Sequence, residues 1–305
     1  MKKAFRTFKY EILYTFVLLF SGLTRVLPRF AALQLYSVIG RLSYLMFKKD
    51  REVTLKNLQF AFGAEKNTQE INKIAKRSWI NLSKSLMEFV RYKNIKSIED
   101  YKKFIEIKGL EHVEEAQKRG QGVFIMTSHF GPFEICLYIF ALLGYKIAST
   151  GSPLKYKKLH DLLVENRSRN GAEYFERNKA SIKMLRQLKS GNLMGVLIDQ
   201  DTSKIQHTFI NFFGKECATP SGPATLLVKT GAAVVPMHII RNEDDSLILE
   251  IQPYRTYQKD DDVKAVTQEL HNLTEEIVRL HPDQWVWMHD RWRTRPSEPK
   301  IENPV

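Results

Sequence analysis

The stretch GVFIMTSHFGPFE, residues 122–134, runs from an apolar segment to two ionisable side chains across a glycine and a proline. The run from Gly122 to Thr127 is typical of a buried strand. Gly131 permits a sharp turn, and Pro132 suits the first position of a helix. The stretch therefore predicts a strand, a turn and a helix, with His129 at the carboxyl end of the strand and Glu134 in the first helical turn.

Four further short apolar runs continue the pattern and are predicted to be strands: Tyr145 to Thr150, Leu193 to Ile198, Ala233 to Ile240 and Leu247 to Ile251. The segments between them have helical character, at about 110–119, 133–143, 155–171, 179–190, 221–230 and 263–280. This alternation predicts an α/β fold with a largely parallel central sheet flanked by helices. Apolar residues at steps of three and four predict a helical cap over residues 53–92.

The N-terminal 50 residues contain two apolar segments, Ile12 to Thr24 and Phe30 to Phe47, with basic residues on their flanks. The first is shorter than the ~20 apolar residues of a spanning helix. No convincing cleavage site follows, so residues 1–50 are predicted to form a retained, membrane-associated helical segment, either spanning or interfacial. A buried core helix is the alternative. Residues 51–295 are expected to form the α/β domain, cap included, and 296–305 a flexible tail.

The 305-residue chain has 47 Lys and Arg against 34 Asp and Glu, a formal charge of +13. Such a surface attracts polyanions, whether nucleic acid, anionic lipid or phosphorylated substrate. Cys136 and Cys217 form no C-x-x-C pair, which argues against a disulfide framework or a cysteine zinc site. The absence of H-E-x-x-H and G-x-S-x-G motifs disfavours a metal hydrolase and a serine hydrolase. No signature of an RNA-binding or helix-turn-helix domain is present.

His129 and Glu134 are the candidate catalytic pair. A carboxylate beside an imidazole orients the ring and stabilises the imidazolium that forms when the ring takes a proton. The pair could therefore act as a general base with its supporting acid. The alternative is a structural histidine followed by a helix-start carboxylate, because an isolated H-x-x-x-x-E is common by chance.

The H-x-x-x-x-[DE] motif after a strand resembles that of the glycerolipid acyltransferase superfamily. The chain as a whole resembles the late acyltransferases of lipid A biosynthesis, the lauroyl and myristoyl transferases. The stretches that carry this narrower resemblance are Asn57-Leu58 with Phe62, Leu197 to Asp201, Phe212-Phe213-Gly214, Thr219 to Ala224, Thr230-Gly231-Ala232, Pro282 to His289, and Arg291-Trp292.

The resemblance implies acyl transfer from acyl carrier protein to a hydroxyl of a lipid A precursor glycolipid, without a cofactor. His129 would be the general base, supported by Glu134, and Arg177 would stabilise the oxyanion. A plain phosphate contact or surface position for Arg177 stays open. The alternatives are another acceptor (a phosphatidylinositol mannoside, an ornithine lipid or a lysophospholipid) and, less favoured, a non-enzymatic basic protein that binds membranes or nucleic acid.

Other polar residues could line the same site. Asp199 and Asp201 follow the run Leu193 to Ile198, at the sheet edge where α/β proteins bind ligands. One of them could position His129, Arg177 or a substrate sugar, although either could simply begin a loop. Arg167 and Lys179 could contact phosphates of the acceptor or of the carrier's phosphopantetheine, or could be solvated. The expected partners are acyl carrier protein, the glycolipid acceptor and membrane lipids, but no nucleic acid. The expected location is the inner, cytoplasmic membrane with the active site on its cytoplasmic side.

Overall fold

The computed structural model describes residues 2–176, 180–202 and 205–296, and the side chains of all of these except residues 2–9, 180 and 181. A seven-stranded sheet forms the centre. Its strands are β1 Ile105–Lys108, β2 Val123–Thr127, β3 Ile147–Gly151, β4 Glu173–Glu176, β5 Leu193–Leu197, β8 Ala233–Arg241 and β9 Leu247–Ile251. They lie in the order β1-β9-β8-β2-β5-β3-β4, and all neighbouring pairs are parallel except β8–β9. Strands β6 His207–Phe212 and β7 Lys215–Pro220 form a separate antiparallel hairpin.

Helices surround this sheet. They are α1 Lys2–Val26, α2 Arg29–Met46, α3 Lys48–Phe62, α4 Thr68–Arg91, α5 Ile98–Lys102, α6 Leu110–Lys118, α7 Cys136–Leu142, α8 Lys157–Arg167, α9 Ala180–Lys189, α10 Gly222–Thr230 and α11 Val263–Leu280. The predicted α/β fold with a mainly parallel sheet is confirmed. All five predicted strands are present; β1, β4 and the β6–β7 hairpin were not predicted.

The central strands are buried on both faces. Along β2, Val123 and Ile125 belong to one apolar cluster, and Phe124 and Met126 to another. Successive side chains of a strand point to opposite faces, so a fully apolar run is what a sheet covered by helices on both sides requires. The apolar run before His129 therefore fixes this strand in the middle of the fold.

Helix α2 packs against α4, and Gly40 lies at the point of closest approach: a Cβ there would lie 2.7 Å from the Cα of Ile80. The opposite side of α2, together with α1, exposes large apolar side chains. We call this surface the N-terminal apolar face; it comprises Ile12, Leu13, Phe16, Leu19, Leu23, Val26, Phe30, Val38, Leu42, Leu45 and Met46.

Within the described residues, no individual helix combines the length and the apolar character needed to cross a membrane. Helices α2 and α3 satisfy that criterion only as a pair, and they are bent by 92° relative to each other.

The C-terminal segment is packed under the carboxyl edge of the sheet. Trp285, Trp287 and Trp292 are all buried, as is Arg291. These tryptophans form a packed edge of the fold and not an exposed aromatic belt. Gly131 donates its N–H to the carbonyl of Gln284 at 2.8 Å, so this segment also fixes the turn that follows His129.

Candidate active site

The site forms where β2 and β5 end side by side. Thr127 pairs with Leu197 in the parallel register of these strands. His129 and Asp199 each stand two residues beyond that pair. The segments that follow β2 and β5 leave the sheet in the same direction. This brings an imidazole and a carboxylate together at the edge where α/β folds bind ligands.

A glycine makes the turn after His129 possible. Gly131 has φ +53°, and a Cβ on it would lie 2.0 Å from the carbonyl oxygen of Ile239 in β8. A side chain would therefore collide with backbone as well as strain the turn. Pro132 follows, and the chain forms a 3₁₀ turn at Phe133–Ile135 before α7 begins. The predicted sequence of strand, turn and helix is thus confirmed, with a 3₁₀ turn at the helix start.

Asp199 holds the His129 ring. The ring Nδ1 lies 2.8 Å from Asp199 Oδ1, and the backbone N–H of His129 donates to Oδ2 at 2.9 Å. The indole N–H of Trp285 donates to the same Oδ2 at 2.8 Å. Burial raises the pKa of the Asp199 carboxyl, but the neighbouring His129 and these hydrogen bonds outweigh burial and leave that pKa below its usual value.

An ionised Asp199 determines the tautomer of the ring. A carboxylate can only accept hydrogen bonds, so Nδ1 of His129 carries the proton and Nε2 presents a lone pair. The Nε2 atom lies 3.0 Å from the amide nitrogen of Gln200. The His129 side chain is 19% exposed, whereas that of Asp199 is fully buried. The ring is therefore anchored through Nδ1 to a buried carboxylate, and the His129 side chain remains partly exposed.

Glu134 is placed differently from the sequence-based expectation. Its carboxylate accepts two hydrogen bonds from Arg167, from Nη2 at 2.5 Å and from Nε at 3.1 Å. The carboxylate that bonds the His129 ring is instead Asp199, because the register of β2 and β5 delivers it there. Burial lowers the pKa of Arg167, but the charge of Glu134 more than compensates and the net shift is upward. Arg167 therefore stays cationic.

An apolar cavity of about 750 Å³ adjoins the ring. Phe133 connects the two, because it lines the cavity and its ring packs edge-on against His129 at a centroid distance of 4.9 Å. Glu134 and Arg167 lie in the cavity wall. The other lining residues include Ile39, Ser43, Trp79, Leu82, Ser83, Leu86, Phe89 and Leu163 from α2, α4 and α8. This volume is in the range of sites that enclose a small ligand.

The remaining predicted residues separate into two groups. Asp201 does not bond the ring: its carboxylate accepts from Arg293 and Thr294, and its backbone N–H donates to His289 Nε2 at 3.0 Å. It therefore fastens the C-terminal segment beside the site. Arg177 and Lys179 lie outside the described residues. Among the residues that are described, no group of three or more His, Cys, Asp or Glu side chains could hold a metal ion.

Two residues of the site had no predicted role there, Gln200 and Trp285. Their only sequence signals were the position of Gln200 next to Asp199 and the tryptophan-rich segment near the C-terminus. Neither signal reveals a contact with His129 or Asp199, because both contacts join segments about 70 or more residues apart.

The chain is similar in sequence to several known acyltransferases. A lipid A biosynthesis acyltransferase of Haemophilus influenzae is 27% identical over 202 residues, 66% of this chain and 63% of that protein. The lipid A biosynthesis lauroyltransferase of Escherichia coli (strain K12) is 24% identical over 266 residues, 85% and 84% of the two chains. A phosphatidylinositol mannoside acyltransferase of Mycobacterium tuberculosis (strain H37Rv) is 24% identical over 197 residues, 63% and 61%. Residues 1–294 match the sequence profile of the bacterial lipid A biosynthesis acyltransferases, and the chain therefore belongs to that family.

Proposed function

We propose that this chain transfers a fatty acyl group from the thioester of acyl carrier protein to a hydroxyl of a lipid A precursor glycolipid. The observation that carries the proposal is the anchoring of His129 Nδ1 by a buried carboxylate at 2.8 Å, beside an apolar cavity. Family membership supports acyl transfer to a lipid acceptor. The donor, the acceptor and the residue roles are our proposals.

In the proposed reaction, His129 Nε2 takes the proton of the acceptor hydroxyl as its oxygen attacks the thioester carbonyl. The tetrahedral oxyanion then collapses, the carbon–sulfur bond breaks, and the thiolate leaving group takes the proton from the imidazolium. Asp199 orients the ring and stabilises its transient positive charge. A positioned cation is a common means of stabilising the oxyanion, and Arg177 remains our candidate for that role.

The apolar cavity suits the acyl chain. Its lining is mostly aliphatic and aromatic, while Glu134 and Arg167 form a polar portion of its wall. We assign Arg167 the role of contacting a phosphate of the acceptor or of the phosphopantetheine, and Glu134 holds its guanidinium in one orientation. We therefore assign Glu134 a positioning role that acts through Arg167. Lys179 is proposed as a further phosphate contact.

The N-terminal apolar face suggests how a water-soluble donor and a lipid acceptor meet. Exposed apolar side chains on α1 and α2, with the exposed basic residues Arg41 in α2 and Lys48 at the start of α3, are typical of a helix surface that lies in a lipid interface. We propose attachment to the inner, cytoplasmic membrane with the site open to the cytoplasm. The formal charge of +13 favours anionic lipid and an acidic carrier protein.

The decisive experiment measures transfer of a labelled acyl group from acyl carrier protein to a lipid A precursor, with detergent-solubilised wild type and a folded His129→Ala variant. We expect product from the wild type and a loss of at least about a hundredfold in the variant. Full activity of His129→Ala would contradict the mechanism. Phosphatidylinositol mannoside is the second acceptor to test, because a relative is named for it; transfer to that lipid alone would replace the acceptor in our proposal.

A further inference from the structure

The outer nitrogen of His129 is already occupied. The side-chain amide nitrogen of Gln200 lies 3.0 Å from His129 Nε2. The other ring nitrogen is bonded to Asp199 at 2.8 Å, so both in-plane positions of the imidazole are filled by protein. Gln200 comes directly after Asp199, and one short loop segment therefore controls both nitrogens.

The direction of this hydrogen bond follows from Asp199. Since the carboxylate forces the proton onto Nδ1, Nε2 can only accept, and the amide N–H of Gln200 is the donor. The lone pair that would take the acceptor's proton is thus engaged by an amide that cannot react. A hydroxyl can reach Nε2 within hydrogen-bond distance only if Gln200 moves aside.

We propose that Gln200 is a positioning residue that caps the general base and marks the site of the acceptor hydroxyl, so that His129 activates a hydroxyl only after the acceptor displaces the amide. The inference rests on the proposed function, which makes His129 the base. Its consequence is protection of the acyl donor. Without the cap, a water molecule can occupy the same position in the absence of an acceptor.

The reaction that the cap prevents is hydrolysis of the donor thioester. Water would give its proton to His129 Nε2 while its oxygen attacks the thioester carbonyl. The carbon–sulfur bond would break, and the thiolate would take the proton from the imidazolium, leaving a free fatty acid and a free thiol. An enzyme that has bound its acyl donor but not yet its lipid acceptor hydrolyses the donor in this way unless water is kept from the base.

The test uses three proteins: wild type, Gln200→Ala, and Gln200→Met, which keeps the side-chain length but has no N–H. Diethyl pyrocarbonate acylates an unprotonated imidazole nitrogen, and peptide mass spectrometry measures its rate at His129 without any substrate. His112, on α6, is the internal reference. Loss of one neutral hydrogen bond predicts labelling about three- to tenfold faster in both variants.

The same proteins are then given acylated carrier protein without acceptor. We expect thioester hydrolysis to increase in both variants by a similar factor, and the KM for the acceptor to fall. Unchanged labelling of His129 in both variants would refute the proposal that Gln200 caps the base. Faster labelling in Gln200→Ala alone would refute it too, because the size of the Gln200 side chain, and not its hydrogen bond, would then protect Nε2. Faster labelling without faster hydrolysis overturns the protective role. Faster labelling in an enzyme that transfers no acyl group supports the cap and counts against the proposed function.

Discussion

Asp199 reaches the ring of His129 because the two residues occupy equivalent positions after paired strands. Thr127 and Leu197 are partners in the β2–β5 register, and each functional residue follows its strand by two positions. The resulting bond from Nδ1 to the carboxylate measures 2.8 Å and is buried on the Asp199 side. Trp285 completes the arrangement by donating to the other carboxylate oxygen.

Replacing Asp199 with Asn should impair the chemical step more than binding. The amide keeps the shape but can donate to Nδ1, which moves the ring proton to Nε2 and removes the lone pair that faces the acceptor. We expect kcat to fall on the order of 10²- to 10⁴-fold with KM little changed. Steady-state kinetics with purified, folded enzyme measures both constants.

The matched control is Trp285→Phe, which keeps an aromatic ring and leaves Asp199 in place but deletes one hydrogen bond. Its loss should be about tenfold, the scale of one bond to a charged group. Equal losses in the two variants would contradict the tautomer argument, because they would indicate that general disruption of the buried segment is responsible.

The local pattern around residues 122–134 was enough to predict the central strand, the turn, and the position of His129 at the carboxyl end of that strand. It was also enough, with the other motifs, to identify the family correctly. Each of these inferences depends on neighbouring residues: an apolar run buried on both faces, and a glycine that must adopt positive φ. Interactions within about ten residues determine such features, so they can be derived from the sequence.

The partner of His129 could not be derived in the same way. Glu134 is close in sequence, whereas Asp199 is 70 residues away and arrives through strand pairing. The sequence placed Asp199 and Asp201 at the correct edge of the sheet, as candidates to position His129 or another group. It gave no strand order, so it could not select Asp199 as the residue that bonds the ring. The side-chain direction of Glu134 was equally undetermined, because Arg167 on α8 selects it.

The Glu134–Arg167 pair should behave as one unit. Both side chains are largely buried, 22% and 15% exposed, so removing either leaves the other's charge without a partner. We expect Glu134→Gln and Arg167→Met each to lower kcat/KM, and the double variant to be no worse than the poorer single variant. The coupling should be on the order of 1–3 kcal/mol in a double-mutant cycle.

The exposed pair Glu165–Arg169 serves as the comparison for that cycle. Its ion pair is 3.2 Å long, and its side chains are 55% and 39% exposed. The corresponding variants, Glu165→Gln and Arg169→Met, should have small and additive effects. Additive losses at Glu134 and Arg167 as well would indicate that the two residues act independently.

Filling the apolar cavity should shorten the preferred acyl chain. Ser83 on α4 lines the cavity, and a phenylalanine there would occupy part of its volume. A chain that can no longer bury two methylene groups loses about 1.6 kcal/mol, roughly fifteenfold in kcat/KM. Competition between donors of different length measures the shift. Ser190→Phe, at an exposed turn, should leave the preference unchanged; an unchanged preference in Ser83→Phe would place the acyl chain elsewhere.

The N-terminal apolar face should be required for membrane attachment. Leu19, Leu45 and Met46 are 71%, 66% and 75% exposed, and replacing all three with serine removes apolar surface without touching the core. Binding to vesicles of zwitterionic and anionic phospholipid should weaken about a hundredfold or more. Leu280→Ser is the control, since Leu280 is 73% exposed at the end of α11. Equal effects of the triple variant and the control would exclude this face as the attachment surface.

A buried histidine behind the site should make the fold sensitive to mild acid. His238 on β8 is fully buried, its Nε2 has no hydrogen-bond partner among the described residues, and burial lowers its pKa from 6.5 to about 4. Between these two values the unfolded chain binds a proton that the folded chain does not, so the free energy of unfolding falls as the pH drops. From pH 7 to pH 5 this one group should lower the free energy of unfolding by about 2 kcal/mol.

Denaturant titrations of wild type and His238→Phe at both pH values test this prediction, because a phenylalanine beside Phe130 cannot titrate. The variant should lose less stability than the wild type by about that amount, and equal losses would assign the acid sensitivity to other groups.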